Sequence, residues 1–144
     1  MMCIVCKKGS MLPTTIAHRV EVAGHTFTAM LPGARCNACG EGQTRGQDLE
    51  AFELAVARLL MSAAPSAEAF RFTRKALGYS GKVLGGLLGT TLETISRWET
   101  GRHPIDRQAW ALVGLLAQDK LKTEAALKDA AEPRPLAAEV AVTV

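Results

Sequence analysis

Residues Ser80 to Pro104 read SGKVLGGLLGTTLETISRWETGRHP. Ser80 is placed to cap one short helix and Gly89 to end it; Thr91 caps a second, which Gly101 ends. Leu84, Leu87, Leu88, Ile95 and Trp98 recur at helical spacing and face one core. Gly85 falls inside the first helix, where glycine costs about 1 kcal/mol against alanine. Close contact between crossing helices, with no room for a β-carbon, is the compensating gain. Two short helices on a tight turn make a helix-turn-helix pattern.

In such a unit the start of the second helix reaches base edges in the major groove. Thr91, Glu93, Thr94 and Arg97 are therefore the candidate readers. Arg97 is able to donate a bidentate pair to guanine O6 and N7. Glu93 only accepts: it takes a hydrogen bond from cytosine N4, or it merely pairs with Arg97 at i, i+4. Trp98 belongs to the core, and Glu99 reads as a structural hydrogen-bonding residue. Arg102 and His103 follow the helix, where they meet the DNA backbone. Ser80 offers its hydroxyl and the helix N–H groups to a phosphate.

Outward on the N-terminal side, Ser66 caps a helix that ends near Gly78, with Phe70, Thr73 and Leu77 turned inward. Arg71, Arg74 and Lys75 then form a basic outer face, suited to phosphates or simply to solvent. On the C-terminal side, Pro104 and Asp106 open a helix carrying Trp110, Leu112, Val113 and Leu116, which closes the bundle. Thr123 caps one more helix through about Ala130. From Glu132 the chain reads EPRPLAAEVAVTV, a mobile tail.

The N-terminal segment has different chemistry. Cys3-x2-Cys6 and Cys36-x2-Cys39 are two CxxC pairs, each able to wrap one edge of a tetrahedral ion. One structural Zn²⁺ is the expected occupant, since four thiolates close the shell and leave no position for a reactive water. A redox dithiol is the competing reading. Lys7, Lys8 and Arg35 offset the negative charge of such a site, and Gly9 and Gly40 let the chain turn so that N–H groups face the thiolates. The long insert reads as a β-hairpin. Ile16, His18, Val20 and Val22 share one face, Ala23-Gly24 makes the turn, and Phe27, Ala29 and Leu31 face the same way on the return strand. Pro32-Gly33 redirects the chain toward the second pair. His18 and His25 read as packing or surface histidines.

Between the two parts, Gly42 to Gly46 forms a polar joint, Asp48 caps a helix, and Leu49, Phe52, Val56, Leu59 and Leu60 form its apolar stripe. This helix bridges the two modules, or its stripe faces a second chain. The expected class is α+β: a zinc-bound β-hairpin module over 1–45, a linker helix over 46–65, a five-helix bundle over 66–131, and the tail over 132–144.

Composition narrows the function. The chain has 144 residues, 48% hydrophobic, enough for one ordinary domain or two small ones. Aromatics at 5% argue against stacking on single-stranded nucleic acid. A net charge of +3 permits DNA binding only if the positive charge is clustered. No long apolar run is present, so a membrane partner is not expected and the cytoplasm is the expected compartment. No P-loop, GxSxG elbow, HExxH or paired-carboxylate constellation appears, so an enzyme is not expected.

The order of these parts, with CxxC…CxxCGE and ISRWETG, resembles the YgiT-type (MqsA-type) zinc-binding antitoxins with a Cro/phage-repressor-type (XRE) helix-turn-helix, over roughly residues 1–118. The resemblance implies a zinc-bound N-terminal domain that engages a cognate toxin, commonly an mRNA-cleaving endoribonuclease. It implies a C-terminal domain that forms a homodimer on double-stranded operator DNA and represses its own operon. By position, Cys3, Cys6, Cys36 and Cys39 match the metal ligands and Arg97 the base-reading arginine. Glu93 stands where the family has an asparagine, and Gly81 where its first helix has a glutamine. A stand-alone zinc-containing transcription regulator is the alternative.

Overall fold

Strands come first and helices after. In the computed structural model, which describes residues 1–144, β1 (Met11–Val22) and β2 (His25–Cys36) form an antiparallel ribbon, and β3 (Gly42–Thr44) lies along β2. Six helices follow: α1 (Gly46–Met61), α2 (Ala67–Ala76), α3 (Gly81–Leu88), α4 (Leu92–Glu99), α5 (Arg107–Gln118) and α6 (Lys120–Ala131). The class is α+β, as expected.

The hairpin turn is at Ala23-Gly24. Both residues have positive φ, 52° and 78°, the two-residue turn whose twist matches that of the flanking strands. The ribbon is longer than the hydropathy pattern suggests. Pro32-Gly33 does not redirect the chain; β2 runs on to Cys36, with Pro32 opposite Thr15 and Cys36 opposite Met11. Gly33 instead admits a third strand. A β-carbon there would lie 2.4 Å from the Gln43 carbonyl oxygen and 2.8 Å from Ile16 Cδ1. The expected joint at 42–46 is correspondingly β3, pairing Gly42–Thr44 with Gly33–Arg35. A propensity reading misses so short a strand because its partner lies far away in sequence.

Strand alternation gives the ribbon two inner faces. Val22 and Leu31 join the large core on one face, whereas Met11 and Cys36, on the opposite face, join Cys3 in a separate small cluster. The large core is continuous from the hairpin through Phe52 and Val56 of α1 to Phe70, Leu84 and Val113. His18 packs edge-on against Phe52, with ring centroids 5.0 Å apart, as a packing histidine should.

Three helix details differ from expectation. Arg45, not Asp48, precedes the first turn of α1; Asp48 lies inside it and accepts from Arg45 Nε at 2.7 Å. Leu59 leaves the expected stripe and is 60% exposed, while Ala57 is fully buried in its place. Asp119, not Thr123, caps α6, accepting from the Lys122 amide at 3.1 Å. Thr123 instead donates to the Leu115 carbonyl at 3.2 Å. No residue of α6 is fully buried; Leu127 packs against the large core, and Tyr79 Oη donates to Glu124. Residues 132–144 carry neither helix nor strand. No helix is long and apolar enough to cross a membrane.

Candidate metal centre and nucleic-acid interface

The four cysteine sulfurs lie within 4.8 Å of one another. Cys3 Sγ is 3.8 Å from Cys39 Sγ, and Cys6 Sγ is 3.7 Å from Cys36 Sγ. A tetrahedral ion with bonds of about 2.3 Å to sulfur spaces its ligands about 3.8 Å apart. The cluster is therefore positioned to hold a metal ion.

Two matching turns build it. The Lys7 amide donates to the Cys3 carbonyl, and the Gly40 amide to the Cys36 carbonyl, both at 3.0 Å. Lys7 and Gly40, each just after its pair, both have positive φ, 57° and 75°. Gly9 turns its amide toward Cys6 Sγ at 3.4 Å, as expected, and serves a second purpose. A β-carbon on it would sit 2.5 Å from Cys36 Sγ, so the two turns close on each other only over a glycine. Asn37, which the sequence reading passed over, stitches them together: its Oδ1 accepts from the Ser10 amide at 3.0 Å, and its amide donates to the Ser10 carbonyl at 3.1 Å. An asparagine inside a CxxC loop was the available signal.

Backbone amides tune the thiols unequally. The Lys8 and Gly9 amides hold the Cys6 thiol down at about 6. The Cys39 and Ala38 amides pull Cys36 down as well. At Cys39 the Glu41 amide acts the same way, but partial desolvation within the cluster and the three neighbouring thiols outweigh it and push that thiol up to about 12, although the residue as a whole is exposed. So many thiolates in so small a volume repel one another unless a cation shares the site, and binding a metal displaces their protons. Cys3 and Cys36 are buried, while Cys39 is exposed. Arg35 bonds the Gly40 carbonyl at 2.8 Å, beside the second turn.

The second candidate site is on the bundle. Ser80 Oγ accepts from the Val83 amide at 3.1 Å and Thr91 Oγ1 from the Thr94 amide at 3.2 Å, so both expected caps form. Gly89 and Gly101 end their helices at φ of 71° and 74°. Beside Gly85, a β-carbon would lie 3.1 Å from the Thr90 carbonyl oxygen. The tight approach is thus to the turn between α3 and α4 rather than to a crossing helix.

Ile95 and Trp98 anchor α4 in the core, and its opposite side is open. Leu92, Glu93, Ser96, Arg97 and Arg102 line a shallow groove of about 350 Å³ on that side. Leu92 and Ser96 were not among the expected readers. Thr91 and Thr94 lie beside it with their hydroxyls 3.1 Å apart, engaged in the cap. Ser80 is exposed at the start of α3.

One expected contact is placed elsewhere. Arg74 is not on a basic outer face: its guanidinium pairs with Glu99 and donates to the Tyr79 carbonyl at 2.9 Å. Its side chain is only 13% exposed. The expectation failed because Glu99 is far away in sequence, beyond the reach of a periodicity argument. Glu99 itself is the structural residue expected. Lys75 is exposed on α2, where the outer face was expected, and lines clefts with Glu50, Glu53 and Lys120 and with Val20 and Phe72.

No known protein family matches the chain, and no curated protein does.

Proposed function

We propose that this chain is an antitoxin that binds its toxin and represses its own operon by sequence-specific binding to double-stranded DNA. It acts by binding and carries out no catalysis. What supports the DNA reading is the open side of α4, where Arg97 and Arg102 flank one groove on a helix locked from beneath by Ile95 and Trp98. That arrangement lets Arg97 donate to a guanine edge while Arg102 meets a phosphate. Residues 66–131 would be the DNA-binding unit and 1–45 the toxin-binding one, joined by α1.

The metal in this reading is one Zn²⁺ with a structural role, since four sulfurs leave no open coordination position. A two-fold operator calls for a homodimer. Leu115 and Leu121, 50% and 84% exposed on α5 and α6, offer apolar surface for it.

The test has two arms. Footprinting on the promoter of the chain's own operon should show a protected inverted repeat, and Arg97→Ala should abolish it. Co-expression with the toxin-like reading frame expected beside the gene should restore growth, and Arg97→Ala should still do so. Protection without growth rescue would identify the stand-alone regulator instead. Absence of protection would remove the DNA reading.

A further inference from the structure

We infer that Glu93 is a specificity-determining base reader that selects cytosine, one helical turn before the guanine-reading Arg97. The inference rests on the DNA-binding reading above and goes beyond it by naming the base chemistry.

The two acidic residues of α4 have opposite fates. Glu99 is tied to Arg74 and nearly buried. Glu93 is exposed, lines the groove with Arg97, and has no partner among the ion pairs or side-chain hydrogen bonds. The i, i+4 spacing would ordinarily join Glu93 to Arg97, yet none of the five ion pairs does so. The guanidinium of Arg97 makes no hydrogen bond within the chain either. One carboxylate and one guanidinium thus stand free on the same face, an acceptor and a donor set side by side.

A free carboxylate is a poor choice for a surface that meets phosphates alone, because it is repelled by them. It is useful only against a donor. In the major groove, cytosine presents its N4 amino group, while guanine and thymine present acceptors. Adenine presents an amino group beside the N7 acceptor, whose lone pair opposes the second carboxylate oxygen. The order of preference for Glu93 is therefore cytosine, then adenine, with guanine and thymine rejected. Four residues of helix rise about 6 Å, and one base step on a strand is about 3.4 Å. The half-site should carry a cytosine for Glu93 and a guanine for Arg97 about two steps apart. The adjacent Leu92, 50% exposed, has no hydrogen bond to offer and suits a thymine methyl group.

The experiment is selection from a randomised duplex pool with the wild-type full-length protein, Glu93→Gln and Glu93→Ala. Position 93 is on the surface, and circular dichroism checks that the variants fold. Wild type should enrich cytosine at one position of each half-site by about 5-fold or more. Glu93→Gln, whose amide both donates and accepts, should replace that cytosine by adenine. Glu93→Ala should lose preference there, and both variants should bind scrambled duplex more tightly than wild type. If all three proteins select the same base at every position, the assignment to Glu93 is overturned while DNA reading stands. If wild type enriches no sequence, both fall together.

Discussion

Arg74 of α2 and Glu99, the last residue of α4, form the one ion pair in which both side chains are nearly out of solvent, 13% and 11% exposed. Arg74 Nη2 reaches Glu99 Oε2 at 3.1 Å, and Nη1 reaches the Tyr79 carbonyl at 2.9 Å. One guanidinium therefore braces the end of α4 and the loop before α3 together. The remaining ion pairs each have at least one partner more than 60% exposed. Exposed pairs of that kind contribute about 0–1 kcal/mol.

Removing either partner of the buried pair should be costly, because it strands the other charge. Arg74→Ala or Glu99→Ala should each destabilise by about 3 kcal/mol. The double change Arg74→Met with Glu99→Leu should recover most of that loss. Urea denaturation of the four proteins measures it. If both single variants match wild type, the pair does not brace α4.

Metal removal should act on one end of the ribbon. Cys3, Met11 and Cys36 form a cluster separate from the large core that holds Val22 and Leu31. Chelation should therefore raise hydrogen exchange around residues 1–12 and 34–41 and leave the hairpin tip and the helices protected. Loss of protection in the helices at the same chelator concentration would show that the two clusters unfold as one.

Gly9→Ala should weaken metal binding without touching a ligand. Its new methyl group would have to displace Cys36 Sγ, 2.5 Å away, and the Ala38 side chain, 2.6 Å away. Disturbing the supporting shell of a metal typically costs about 10-fold or more in affinity. Competition against a chromophoric chelator reads this directly, and an unchanged affinity would mean that the turns have slack.

The docking of α6 should respond to pH in a defined way. Burial and the carboxylate of Glu124 raise the Tyr79 phenol above its usual 10, so the folded state holds that proton longer. The resulting stability is fully present below pH 10 and is lost as pH rises through the folded value. Lys128 and Tyr79 lower the Glu124 carboxyl below 4.5, so its contribution is present above that pH and fades as pH falls through the folded value. Tyr79→Phe should remove the alkaline loss and reduce the acid one. Melting temperatures across the pH range test both signs.

Local chemistry was the legible part of this chain. Ser66, Ser80 and Thr91 cap from side chains that bond an amide three residues on, so a short window contains the whole interaction. The hairpin turn and the two CxxC loops are equally local. What escaped were contacts between distant segments: Arg74 with Glu99, β3 with β2, and Gly9 with Cys36. Leu59 shows the same limit. Its spacing fits the stripe, but no neighbouring element covers that side of α1 at its position, and Ala57 faces the interior instead.

The space beside Gly85 is too tight for a methyl group unless the turn at Thr90 and Thr91 gives way. The pose of α4 is set from underneath by Ile95 and Trp98, and Leu92 Cδ1 lies where it would meet a β-carbon at Gly81 of α3, while Glu93, Ser96 and Arg97 are exposed. A combinatorial library at those three exposed positions would exchange the lettering without disturbing the press that holds it.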